Sequence, residues 1–227
     1  RSMINLQNEF GRLNSFDLNK QIVSSIKSNI VYFSNGLVKS RLIHRSELFK
    51  DYDIKFKIDT DKIEKKSSYS IVIENNKMEI NNFDSSGNLQ ATENFDGLST
   101  DYKPHSLPFE LKIQEIGEFT EKIEREIVFL PFKSAVNQWI SRVNVEQYSI
   151  SSRIQGFSQG SDQIKLICDY PNKILADEYL ELLIATFDND GIIERQLEYK
   201  RTIEFVETRS EFLKKEVQVI EKNKEDF

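Results

Sequence analysis

Few side chains in this sequence are spaced for chemistry. Asp188-Asn189-Asp190-Gly191 offers oxygen ligands in the manner of a calcium loop. An EF-hand loop needs ligands at alternating positions, glycine sixth and glutamate twelfth. Here the glycine comes too early, so the segment reads as a junction that breaks or bends a helix. Asp59, Asp61 and Glu64 resemble paired glycosidase carboxylates, but they stand beside Lys62, Lys65 and Lys66, as in a solvated loop. His44 and His105 lie far apart without companions at zinc-ligand spacing. A serine near the lone His44 does not make a triad. Cys168 is the single cysteine and excludes an internal disulfide. It sits in the apolar run 164–170 and is expected to be a buried thiol. Walker, GxGxxG and kinase catalytic sequences are missing. The sequence therefore predicts no catalytic residue, no metal and no cofactor.

Aromatic side chains offer a second chemistry, stacking on sugar rings. Trp139, the only tryptophan, shares a helical face with Ala135, Val136 and Val143, which makes it a core anchor. Tyr69, Phe95 and Tyr102 are freer to meet a glycan.

The 227 residues carry a net charge of −6, with 38% hydrophobic and 30% charged side chains. That balance allows a real core and favours an extended, solvent-washed molecule. It offers no broad basic face to nucleic acid. No stretch is long and apolar enough to span a bilayer. Arg1-Ser2-Met3 reads as a cloning scar, and the chain is expected to be part of a longer parent.

The elements that would position these groups follow from periodicity. Residues 4–13 and 17–26 read as short amphipathic helices, with Asn14, Ser15 or Asp17 as cap. Residues 30–33 form a strand closed by a turn at Ser34-Asn35-Gly36, and 38–48 an extended segment. Strands follow at 53–58, 69–73, 78–80, 87–92, 108–113 and 126–132, with a tight hairpin at Asn75-Asn76. This run suggests a small antiparallel sandwich or jelly-roll-like module. A helix at 134–143, strands at 148–154 and 164–170, and a helix opening at Pro171-Asn172 complete the pattern. The expected fold class is α+β. An α/β domain (4–52 and 133–190) would share one sheet made of the strands near Ile30, Tyr148 and Ile164. The β-sandwich (53–132) would be inserted into it, and a helical stalk would begin at 191.

The stalk is the strongest signal. Ile192, Tyr199, Val206, Leu213, Ile220 and Phe227 recur every seventh position, with Gln196, Ile203, Ser210, Val217 and Lys224 as companions. That is a coiled-coil seam. From Asp190 onward it would run ~57 Å at ~1.5 Å per residue, too long to bury on a small core. Ile192, Tyr199, Ile203, Val206, Leu213, Val217 and Ile220 are therefore expected to pack on another helix.

Three stretches carry a resemblance. Tyr32-Phe33-Ser34-Asn35-Gly36 followed by Ser46-Glu47-Leu48-Phe49-Lys50-Asp51 is one. The strand and helix opening around Asp169-Tyr170-Pro171-Asn172-Lys173-Ile174-Leu175-Ala176 is another. The third is the helix start Gly191-Ile192-Ile193-Glu194-Arg195-Gln196-Leu197-Glu198-Tyr199. In order, they resemble the periplasmic region of polysaccharide chain-length determinants. These are the Wzz/Wzc-type co-polymerases of the bacterial inner membrane, especially those fused to a tyrosine autokinase in Bacteroidetes-like bacteria. Lys173 stands where the family often has proline, and Tyr52-Asp53 where Ser-Pro is usual.

The resemblance implies a parent with two flanking membrane helices and a cytoplasmic kinase, of which this chain is the non-enzymatic periplasmic part. It implies homo-oligomeric rings that set the length of capsule or exopolysaccharide. The implied partners are the growing polysaccharide, its polymerase and an outer-membrane exporter, with no nucleic acid. Two other readings remain open: a carbohydrate-binding module built on the β insertion, and a periplasmic adaptor of another secretion or efflux conduit.

Overall fold

The computed structural model of the protein describes residues 6–36, 39–100, 106–115, 122–149 and 160–225. The fold is α+β, and the chain divides into two compact units, Arg1–Leu183 and Ile184–Phe227.

The first unit opens with α1 (Leu6–Leu13) and α2 (Phe16–Ile26). Ser15 separates them. Its backbone is extended and its Oγ accepts the Leu18 amide at 3.3 Å, so it caps α2 by satisfying an otherwise orphaned donor. α2 buries Leu18, Ile22, Val23 and Ile26, one stripe of an amphipathic helix, and stops at Lys27 in the left-handed region. Eight strands follow: β1 (Ile30–Asn35), β2 (Ser40–Ile43), β3 (Asp51–Phe56), β4 (Ser67–Glu74), β5 (Lys77–Phe83), β6 (Leu89–Phe95), β7 (Phe109–Glu115) and β8 (Lys122–Phe129). Then come α3 (Phe132–Arg142), β9 (Val143–Ser149), β10 (Gly160–Cys168) and α4 (Lys173–Glu225).

Six strands form one antiparallel sheet in the order β2-β1-β8-β4-β5-β6. The β4–β5 turn is Asn75-Asn76 with φ of 50° and 60°, the left-handed pair that matches strand twist in a two-residue hairpin. Alternation along the strands decides what is buried. Ile30, Tyr32, Tyr69, Ile71, Ile73, Ile127 and Phe129 enter the main core, while Val31 and Val128 point to the opposite face. The β3–β7 ribbon covers the core face. Phe109 sits edge-on to Tyr69 and Phe129 at 5.3 and 6.2 Å, and Phe56 meets Phe129 at 5.9 Å.

Three expectations need correction. The strand at Ile30 does not share a sheet with those near Tyr148 and Ile164. β1 pairs with β2 and β8, whereas among the described residues β9 and β10 pair only with each other. The segment 38–48 is extended only as far as β2, and a 3-10 turn (Arg45–Glu47) follows it. Finally, Asp188-Asn189-Asp190-Gly191 neither breaks nor ends a helix: α4 is continuous over 53 residues. A glycine inside a helix costs only about 1 kcal/mol relative to alanine, too little by itself to stop a helix that runs for more than fifteen residues on either side.

Candidate functional site

The second unit is the part of α4 from Ile184 onward. All seven seam residues stand exposed on it, from 45% at Leu213 to 68% at Tyr199. Helical geometry lines them up because positions seven apart nearly eclipse. Thr202 and Thr208 turn their hydroxyls back onto the carbonyls of Glu198 and Glu204 at 2.9 and 2.7 Å, so these β-branched residues keep their polar atoms on the helix itself. One open groove of about 550 Å³ lies along the seam beside Val206, Ser210, Leu213 and Val217, a surface of the kind on which the side chains of a facing helix pack.

A second apolar row was missed in the sequence. Phe205, Phe212 and Val219 are also exposed, Phe205 at 70%. Each precedes a seam residue by one position, which sets the row about 100° round the helix. Their seven-residue spacing was visible in the sequence but was masked by the stronger row beside it. The Arg209 guanidinium lies 5.4 Å from the Phe212 ring.

The first turns of α4 belong to the first unit and are firmly mounted there. Asn172 caps the helix, its Oδ1 accepting the Leu175 amide at 3.0 Å. Its Nδ2 donates to Glu47 Oε2 at 3.3 Å, and the same carboxylate oxygen accepts the His44 amide at 2.7 Å. The His44 amide above all, with Asn172 and the Arg41 charge, holds Glu47 below the ordinary glutamate range. One turn further, Glu178 accepts from Arg45 at 2.8 Å and from His44 Nε2 at 3.2 Å. Tyr179 is fully buried, and its hydroxyl donates to Asn19 Oδ1. Asn19 in turn donates to the carbonyls of Leu13 and Ser15 at 2.9 and 2.7 Å. Burial pushes the Tyr179 hydroxyl far above its ordinary value, so it stays a donor. The Trp139 indole stacks on Tyr179 at 4.0 Å and on Tyr170 at 4.3 Å, as a core anchor should.

Ser46, His44 and Glu178 form a chain that imitates a catalytic triad. Ser46 Oγ is 2.8 Å from His44 Nδ1, but that nitrogen also accepts the Ser46 amide at 3.3 Å and caps the 3-10 turn. The ring thus serves to hold the backbone of this turn.

The other candidates resolve as follows. Asp59 caps the 3-10 turn Thr60–Lys62 and pairs with Lys62 at 3.1 Å, while Asp61 accepts from Ser24. Lys62 and the Asp61 amide hold the Asp59 carboxyl low, the reverse of what a general acid needs. Cys168 is half-buried, and desolvation raises its thiol. No cluster of three or more His, Cys, Asp and Glu suited to a metal occurs among the described residues, and no helix among them is long and apolar enough to cross a membrane. Tyr69 is 6% exposed and packs among core rings, so it is not available to a glycan. Strand alternation explains this, because it shares a face with Ile71 and Ile73. Phe95 is half-buried beside a cleft of about 480 Å³ that Val72 and Met78 also line. Tyr102 and His105 lie outside the described residues.

A second cleft, of about 440 Å³, lies against the sheet face opposite the main core, under α3 and the Tyr170-Pro171 segment. Compared with protein-family models and with curated proteins, the sequence matches none of them.

Proposed function

We propose that this chain is an assembly scaffold, the periplasmic part of an inner-membrane polysaccharide co-polymerase. In this reading it governs the length and export of capsule or exopolysaccharide by holding subunits together, and it makes or breaks no bond itself. The carrying observation is α4: one unbroken helix whose apolar residues from Ile192 to Ile220 are exposed. Apolar side chains repeated in helical register and left in water are a surface for another helix. The order of the three motif stretches supports the choice of chain-length determinant over other helical scaffolds. The six-stranded sheet with its ribbon would then be the β module of such a domain, and the parent would bear two membrane helices, a kinase and a ring-forming interface.

The test is made in cells of the source organism. Replacing Leu213 and Val217 by glutamate in the parent is expected to shift the length distribution of the surface polysaccharide on a gel, and deletion of the parent gene is expected to do the same. An unaltered distribution in both strains overturns the reading. A carbohydrate-binding role draws on a single observation, Phe95 at its cleft. Calorimetry with the organism's own glycan and a Phe95→Ala variant tests it, binding lost in the variant being the supporting result.

A further inference from the structure

We infer that the cleft behind β1 and β8 is a binding site for a small amphipathic anion, an aliphatic body bearing one carboxylate or phosphate. The floor comes from strand alternation. Val31 pairs with Val128 and Phe33 with Leu42 across the sheet, on the face turned away from the main core. Leu130 extends this floor just past the end of β8. A sheet face lined by valine, leucine and phenylalanine has no sugar-like hydrogen-bonding pattern; it accepts hydrocarbon. At about 440 Å³ the cleft falls within the roughly 300–1,000 Å³ common for small-molecule sites.

Charge selects the head group. Lys66 and Arg142 stand at the cleft with Glu126 as the only acid lining it, leaving a surplus of one positive charge. Neither cation has an ion-pair partner among the described residues. Arg142 spends one donor on the Asp169 carbonyl at 3.3 Å and lies over the Tyr170 ring at 4.9 Å. That contact fixes the guanidinium at the rim with donors to spare, the arrangement suited to a carboxylate or phosphate. Tyr170 offers a neutral sugar no open platform, since Trp139 and Arg142 already engage its ring.

The structure supplies its own reporter. Trp139, the only tryptophan, stacks on Tyr170, and Tyr170 lines the cleft. Titrating the whole chain with decanoate, octanoate and hexanoate is expected to give a saturable change in Trp139 emission. Affinity should fall roughly threefold to fourfold for each methylene removed, and acetate should produce no change. Decan-1-ol should bind at least several-fold more weakly than decanoate, which separates an anion site from mere greasiness; decyl phosphate in place of decanoate identifies the preferred head group. Lys66→Glu, at an exposed position, should weaken decanoate roughly threefold to tenfold without affecting the fold. Leu42→Asp should abolish binding. The proposal is overturned if no saturable response appears, if decan-1-ol binds as tightly as decanoate, or if Lys66→Glu leaves the affinity unchanged. None of these readouts depends on self-association through α4, so they fail or succeed separately from the scaffold reading.

Discussion

The two units use the same kinds of side chain to opposite ends. On β4, Ile71 and Ile73 are buried at 0% and 4% exposure. On α4, Ile203 and Val206 each stand 57% exposed. Residue type does not account for the contrast; the presence of another element of the same chain does. In the first unit the β3–β7 ribbon closes over the sheet and α3 meets the start of α4. In the second unit one helix has no other element of its unit to pack on. Burying a large aliphatic or aromatic side chain is worth ~1.5–3 kcal/mol, and association costs ~4–15 kcal/mol. Seven such residues on each of two copies are enough to offset that cost, which is why the proposed scaffold role rests on this seam.

Substitutions sharpen the contrast. The largest effect belongs to Trp139, 2% exposed and stacked on two tyrosines. Trp139→Ala should lower unfolding stability by about 3–5 kcal/mol in urea. Leu213→Ala, on the exposed helix, should change it by less than ~0.5 kcal/mol in dilute solution. Equal losses at both sites would erase the distinction between the units. Next comes Tyr179→Phe, which leaves Asn19 Oδ1 buried without its donor. It should cost about 1–3 kcal/mol, measured by the same unfolding curves. Gly191→Ala should add about 1 kcal/mol of helix stability, seen as higher ellipticity at 222 nm on heating. A Cβ there meets only the flexible end of Arg195, at 3.8 Å. A loss instead would mean that α4 needs its glycine.

The smallest effect is a pH dependence at the α4 mount. Glu47 titrates below its ordinary range when folded, so the unfolded chain takes up the proton first. Its contribution is present above the ordinary glutamate range and is lost as pH falls through the lower, folded value. Denaturation curves from about pH 6 to pH 3 should show Glu47→Gln with a flatter acid limb than the native chain. Identical limbs would remove Glu47 from the mount.

Local signals in the sequence were legible. Ser15 among three candidate caps, Asn75-Asn76 as a hairpin, Trp139 as an anchor and the long C-terminal helix all depend on neighbours within a turn or two. Partners far apart in sequence were not. β1 pairs with β8 across some ninety intervening residues, and nothing in either strand's alternation names the other. The face of Tyr69 was readable from Ile71 and Ile73, yet the aromatic type outweighed its position. The Asp188-Asn189-Asp190-Gly191 segment carries the local signals of a break or bend, yet the cost of one glycine is small against a helix of 53 residues. The cleft floor of Val31, Leu42 and Val128 is assembled by strand pairing and has no local signature at all.

Sedimentation equilibrium of the 26.6 kDa chain, over about a hundredfold range of concentration, tests the central claim most directly. The apparent mass of the native chain should climb from one copy towards two or more, while a Leu213→Glu, Val217→Glu double variant with an unchanged circular dichroism spectrum should hold at one. A native chain that stays at one copy throughout, indistinguishable from the variant, would contradict the account.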